Sequence, residues 1–327
     1  MVKLLKEKMG LKKVMITLLV LITLNFFIPR LMPGDPFTFL SAEEGSVSVT
    51  FSHEEIERYK AYYGLDLPLY QQFYNYGLRL LKGDMGYSIH FKDSVWAIIL
   101  SRLPWTAALV GLSILLSAFL GIVFGSFSAY YQEKWQDRLL YFSFVLLSEI
   151  PGFLVGLIFL FVFAAYLGLF PLAGGIKPFL SEYPLSDKIL SILHHGVLPV
   201  MTLSIARLGE FYLLSRNSMI GILSKDYITT AKAKGLGRVK ILLRHALKNA
   251  LLPIITRIFL SFGAVVSGAI LVENVFRYPG IGSLMRQAVM MRDYPLIQGI
   301  FLFTACMVLS MNGLAEIIYK KLDPRVQ

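Results

Sequence analysis

Six long apolar runs set the pattern of this chain: approximately Val14–Met32, Pro104–Tyr130, Leu139–Leu169, Val197–Leu223, Ala250–Val272 and Leu296–Tyr319. A helix needs roughly 20 apolar residues to cross a bilayer core of about 30 Å, so each run predicts a transmembrane helix. The first run resembles a secretory signal, with lysines ahead of VMITLLVLITLNFFI. It is long enough to span and lacks a small-residue cleavage site, so it is read as retained.

The short polar segments predict the orientation, because basic residues are kept on the cytoplasmic side. With both termini inside, that side receives Lys3, Lys6, Lys8, Lys12 and Lys13, then Lys134 and Arg138, then a basic segment after Ser224, then Lys320, Lys321 and Arg325. The outer loop between the third and fourth runs carries only Lys177 and Lys188. The piece from 33 to 103 then lies outside. Its signals predict helices: Ser52 and Glu55 form a capping box, Gly64 a stop, Pro68 a start for LYQQFYNYGLRLL, and Gly83 another stop. The chain thus divides into 1–32 (N-terminus and first span), 33–103 (external helical region) and 104–327 (five-helix core), with a cytoplasmic loop at about 224–249.

Composition agrees with an integral membrane protein: 16% charged residues and 56% hydrophobic ones leave too little polar surface for a soluble domain of 327 residues. The net charge of +11 is assigned to the membrane surface. No nucleic-acid-reading motif accompanies it, so nucleic acid is excluded as a partner. The single cysteine, Cys306, lies in an apolar run and supports neither a disulfide framework nor a thiolate metal cluster. No cofactor is predicted.

The basic segment Asp226–Pro253, DYITTAKAKGLGRVKILLRHALKNALLP, carries six Lys and Arg between two very apolar runs. Val239, Leu242, Leu243, Ala246, Leu247 and Ala250 are spaced as one helical stripe, and Lys240, Arg244 and Lys248 run down another line. Gly235 and Gly237 separate this helix from a short one around Tyr227–Lys234. Two occupants compete for such a helix pair: anionic membrane lipid, or a soluble protein that receives it. Thr229, Thr230, Ala231, Ala233 and Gly235 offer a narrow surface suited to a protein groove, whereas lipid insertion favours bulky side chains.

Several motifs in order across nearly the whole chain resemble a family. They are LMPGDP at Leu31–Pro36, YGLDLPLYQQF at Tyr63–Phe73, GDMGYSI at Gly83–Ile89, the basic segment, ENVFRYPGIGSL at Glu273–Leu284, RDYPLIQG at Arg292–Gly299 and LDPR at Leu322–Arg325. The chain resembles permease subunits of bacterial ABC importers for dipeptides, oligopeptides and nickel. The resemblance implies an all-α membrane protein with a type I importer permease core in the bacterial cell membrane. It also implies a second homologous permease, two ATP-binding cassette ATPases and an extracytoplasmic solute-binding protein as partners. The basic segment resembles the family's ATPase-coupling loop, which implies coupling roles for Tyr227, Thr230, Ala231, Ala233, Lys234, Gly235, Leu236, Leu252 and Pro253. Its long gap from Gly235 to Pro253 is similar to the peptide/nickel branch. The expected cargo is a peptide, with nickel or a metal chelate as the alternative.

The chain contains no GxxxxGK[ST] loop, so ATP must be bound by another polypeptide. A single-chain membrane enzyme or channel is the alternative of a different class, but neither HExxH nor GxSxG occurs. His195 matches a histidine common in the family and is read as structural; His194 keeps a role toward a cation open. Charges inside spans are costly and are usually paired or functional. Glu149, Arg207 and Glu210 are therefore singled out, as a buried pair (Arg207 with Glu210 or Glu149) or as pathway residues meeting a peptide terminus or a cation. Pro151 and Gly152 are expected to bend the third span around a cavity.

Overall fold

A computed structural model describes residues 2–31, 64–178 and 184–322, with a few positions between 54 and 61. Among the described residues the regular structure is helical: α1 (Val2–Arg30), α2 (Leu69–Leu81), α3 (Val95–Tyr130), α4 (Trp135–Glu149), α5 (Gly152–Phe159), α6 (Leu185–Leu223), α7 (Asp226–Ala233), α8 (Leu247–Val275), α9 (Ile281–Met290) and α10 (Tyr294–Leu322). Two π-helical segments, Leu160–Tyr166 and Ile241–Ala246, continue α5 and lead into α8. The helices α3, α6 and Tyr294–Ile317 of α10 are long and apolar enough to cross a membrane. The third run is not one straight helix: α4 and α5 with its π-helical extension pass the same test together but are bent by 94°. The break falls at Ile150–Pro151, where the backbone is extended, because proline disfavours helical geometry in the residue before it. Ile16–Arg30 forms a shorter apolar helix within the first run, and the fifth run lies inside the 29-residue α8. Helix α6 begins at Leu185, directly after Pro184, twelve residues ahead of the predicted fourth run.

The chain forms two compact units. In the unit made by residues 1–102 and 284–306, the expected start at Pro68 and stops at Gly64 and Gly83 hold. Pro68 precedes α2, and both glycines adopt φ values of +64° and +75° that L-residues rarely adopt. The capping box at Ser52 and Glu55 lies outside the described residues. Phe26 is fully buried against Phe73 and Tyr76. The Arg30 guanidinium lies 3.6 Å from the Phe26 ring centroid and donates to the Gln72 carbonyl oxygen at 2.9 Å. Two motifs meet here: buried Asp293 of RDYPLIQG accepts from the Ser88 hydroxyl of GDMGYSI and from the His90 N–H at 3.0 Å. Its other oxygen accepts the Leu296 N–H at 3.2 Å, capping α10.

In the unit made by residues 103–283 and 307–327, α6 lies at backbone contact with α3. A Cβ on Gly121 would stand 2.6–2.9 Å from the Phe211–Tyr212 backbone and side chain, and one on Gly125 2.7–2.8 Å from Ser215, Arg216 and Tyr212. On another face of α6, Gly209 sits directly on Ser148 and the Phe144 carbonyl of α4. Small residues at such crossings let helices in lipid gain dispersion contacts that the surrounding acyl chains cannot match. From Phe211 at this crossing the main apolar cluster extends to Leu109, Ile114, Ile254 and Val272.

Gly125→Leu is expected to lower stability by about 1–3 kcal/mol through overpacking, seen as a lower thermal unfolding midpoint in detergent and reduced monodisperse yield. Gly221→Ala, where an added Cβ meets nothing within 4 Å, should leave both unchanged or slightly improved.

Candidate functional site

The basic segment folds as a helix, a glycine turn and a second helix. Asp226 sits in the first turn of α7, where a carboxylate complements the exposed N–H groups and the helix dipole. The helix ends at Gly235, whose φ of +75° lets the Leu236 N–H return to the Ala231 carbonyl at 3.3 Å and the Gly235 N–H to Lys232 at 2.9 Å. Thr230 is exposed, its hydroxyl donating to the Asp226 carbonyl at 3.1 Å. Tyr227 is also exposed, and its hydroxyl accepts from Asn249 Nδ2 at 3.0 Å, joining α7 to α8. Ala233, Lys234 and Gly235 are exposed. Leu252 is half-buried and Pro253 exposed in α8, which runs through the proline.

Two expectations change. Ala231 is not part of the narrow outer surface: with Ile228 it is buried against Ala129 of α3, Met219 of α6 and Ala246. The apolar stripe also fails as drawn, since Val239 and Leu243 are 60% and 57% exposed. The cause is the π-helical segment Ile241–Ala246. Its wider turn brings residues five apart onto one side, so the buried line is Ile241, Ala246 and Ala250, a set that a regular 3.6-residue count does not select. Beside this cluster lies a cavity of about 730 Å³, lined by Ile220, Leu223, Leu236 and Leu242 together with Lys134 and Lys232.

A buried network that the sequence pattern does not announce joins α3, α4 and α6. The Asp137 carboxylate, 3% exposed, receives Arg216 Nε and Nη2 at 2.7 Å each. It also accepts from the Ser128 hydroxyl and from the Glu133 N–H at 3.1 Å. Ser128 is 2.7 Å from the Tyr212 hydroxyl. Two parallel N–H···O bonds make this the strong form of an Arg–carboxylate pair. The sequence does carry a signal for the crossing that assembles it, the G-x-x-x-G of Gly121 and Gly125 in an apolar run.

The candidate charges of the spans are arranged around Glu210. Arg207 Nη1 lies 3.8 Å from Glu210 Oε2, and Arg257 of α8 pairs with Glu210 Oε1. Glu149 ends α4, is exposed, and enters no ion pair among the described residues. Arg257 could have been found as a lone charge inside the fifth apolar run. The histidines both meet backbone carbonyls: His195 Nδ1 is 2.7 Å from the Ser191 oxygen and His194 Nε2 is 2.9 Å from the Leu169 oxygen.

The motif ENVFRYPGIGSL closes on its own glutamate. Glu273 is fully buried; one oxygen accepts the Thr106 hydroxyl at 2.7 Å, the other the N–H groups of Gly282 and Ser283 at 2.7 and 3.1 Å. Atoms at Gly280 and Gly282 pass so near this carboxylate that a Cβ would collide with it. Burial first, and the Glu273 carboxylate second, push the Tyr278 hydroxyl up to about 12, so it stays protonated at neutral pH. These contacts fix the entry to α9 and supply no chemistry.

The family described as "Binding-protein-dependent transport system inner membrane component" matches residues 121–327. The oligopeptide transport system permease protein AppB of Bacillus subtilis is 34% identical over 305 residues, 93% of each chain. The oligopeptide transport system permease protein OppB of Haemophilus influenzae is 35% identical over 313 residues, 95% of each chain. A glutathione transport system permease protein, GsiC, of Escherichia coli is 32% identical over 311 residues, again 95% of each.

Removing one partner of the Asp137–Arg216 pair strands a buried charge. Arg216→Gln or Asp137→Asn is expected to cost about 3–5 kcal/mol, read as loss of folded protein by size exclusion and thermal unfolding. Arg216→Met with Asp137→Leu should recover part of that loss, because no unpaired charge remains.

Proposed function

The chain belongs to the binding-protein-dependent transport system inner membrane component family, and from that membership we propose that it is half of the translocation pathway of an ATP-driven peptide importer. In this reading the chain spans the bacterial inner membrane six times with both termini in the cytoplasm. A second homologous permease completes the pathway, an extracytoplasmic binding protein delivers the solute, and two ATPase subunits supply the energy. Similarity over at least 93% of the chain to permeases named for oligopeptide and glutathione transport carries the peptide reading over nickel.

Coupling is assigned to α7. The helix presents Thr230, Ala233, Lys234 and the Gly235 turn outward, while Ile228 and Ala231 anchor it on α3 and α6. A short helix held on such a base transmits displacement and performs no acid–base chemistry. The charges around Glu210 are read as structural: one carboxylate answers Arg207 and Arg257 and ties α6 to α8.

Gly235→Val tests the lever. An added Cβ meets no neighbour within 4 Å, so the cost comes from the φ of +75°, about 1–3 kcal/mol for a β-branched residue. The expected outcome is correct membrane insertion with substrate-stimulated ATP hydrolysis by the whole complex reduced several-fold. Unchanged ATPase activity and uptake would remove the coupling role.

The charges are tested by uptake and yield together. Glu210→Gln leaves two arginines facing a neutral group and should reduce complex yield for every substrate alike. A loss of uptake that follows blocking of one peptide terminus, with yield intact, would instead place the cluster in the pathway.

A further inference from the structure

The cavity beneath the coupling segment differs from an ordinary packing defect in three ways. Its volume of about 730 Å³ lies within the roughly 300–1,000 Å³ of ligand sites. Its lining is divided by chemistry: Ile220, Leu223, Leu236 and Leu242 supply an apolar wall, and Lys134 and Lys232 supply two exposed cations. Its lining also includes an aromatic residue, Tyr130. The Tyr131 ring meets Tyr130 edge-on with centroids 4.8 Å apart, the Lys134 ammonium lies 5.6 Å from the Tyr131 centroid, and Trp135, next to Lys134 in sequence, is 69% exposed.

Tryptophan and tyrosine concentrate at the level of lipid headgroups, so Tyr130 in the lining, with Tyr131 and Trp135 close by in sequence, puts the cavity near that depth. A ligand entering there must carry negative charge at one end and a long apolar body at the other. A free anion would leave the leucine wall uncovered, and a neutral lipid would leave two lysines without counter-charge. We propose that this cavity is a binding site for one anionic phospholipid, with its phosphodiester at Lys134 and Lys232 and an acyl chain along Ile220, Leu223, Leu236 and Leu242. Basic recesses between membrane helices bind anionic headgroups by the same division of labour.

The position gives the lipid a consequence. Leu236 and Leu242 line the cavity and also pack on the buried cluster that seats Ile228 and Ala231 of α7. A bound acyl chain therefore supports the base on which the coupling helix rests. Binding itself depends only on the chain being a membrane protein; the effect on coupling rests on the proposed importer role.

The chain, with whatever subunits co-purify, is extracted in mild detergent, and retained phosphatidylglycerol is counted by native mass spectrometry. One phosphatidylglycerol is expected to survive a wash that removes the rest. Lys134→Gln with Lys232→Gln should lower its retention about thirty-fold, as expected for losing two near-surface cations. Leu223→Asn, which leaves the charge unchanged, should also lower retention. Lys82→Gln with Lys177→Gln, an equal loss of charge at two exposed positions elsewhere, should not. Unaltered retention in the Lys134/Lys232 variant overturns the site, as does equal loss in the Lys82/Lys177 control. Displacement of the lipid by millimolar inorganic phosphate would show a simple anion site, and loss of a protein subunit with lipid retention unchanged would give the cavity to a protein partner; either result overturns the proposal. The coupling effect is read separately: phosphatidylglycerol added to phosphatidylcholine nanodiscs should stimulate ATP hydrolysis by the wild-type complex, with the Lys134/Lys232 variant showing no stimulation. Lipid retention without that stimulation would leave the site standing and remove only its link to coupling.

Discussion

The contact on which most of this structure depends is the backbone-to-backbone crossing of α3 and α6 at Gly121 and Gly125. Lipid tails are as apolar as leucine, so burying apolar side chains gives helices in a membrane little reason to associate. Close approach does, because it multiplies dispersion contacts and brings polar groups within hydrogen-bonding reach. At this crossing Ser128 of α3 meets Tyr212 of α6, and the following turn carries Asp137 onto Arg216. A side chain at either glycine would separate the helices and all of those partners together.

Three carboxylates of the second unit, two buried and one half-buried, are answered in the same way. Asp137 is answered by Arg216 and a hydroxyl, Glu273 by a hydroxyl and two N–H groups, and Glu210 by two arginines. Unpaired, each would be expensive in a membrane protein. Paired, each fixes two or more segments in register, so these networks form a rigid frame. The departures from regular helix lie beside that frame: the 94° bend at Pro151 and the two π-helical segments. Segments of π-helix recur at functional sites because they turn a helix face without ending the helix.

The basic segment combines both features. Its inner side, Ile228 and Ala231, is seated in the cluster that contains Ala129 and Met219. Those residues belong to the same two helices that hold Ser128 and Arg216. A displacement of α7 in the proposed importer therefore reaches the frame through packed side chains, with the π-helical segment joining it to α8. In that importer, the outer side offers small and basic residues to the ATPase. The neighbouring cavity offers its leucine wall and two lysines to lipid, so a protein and a membrane component can act on the two sides of one short helix.

Much of this was legible along the chain, because the bilayer imposes length and composition on each helix separately. The apolar runs, the stops at Gly64 and Gly83, the break at Pro151–Gly152 and the turn at Gly235 are local consequences of hydropathy, proline and glycine. The ordered motifs from Leu31 to Arg325 carried the family. Tertiary structure decided what depends on residues distant in sequence. The pairing of Asp137 with Arg216, the recruitment of Arg257 to Glu210, and the joining of Ser88 to Asp293 are set by which helices cross and where, and no helical period encodes that. The same holds for the basic segment, where a regular period placed Val239 and Leu243 inside. Only the π-helical geometry between Ile241 and Ala246, formed against α3, α6 and α7, determined which side of that helix is buried.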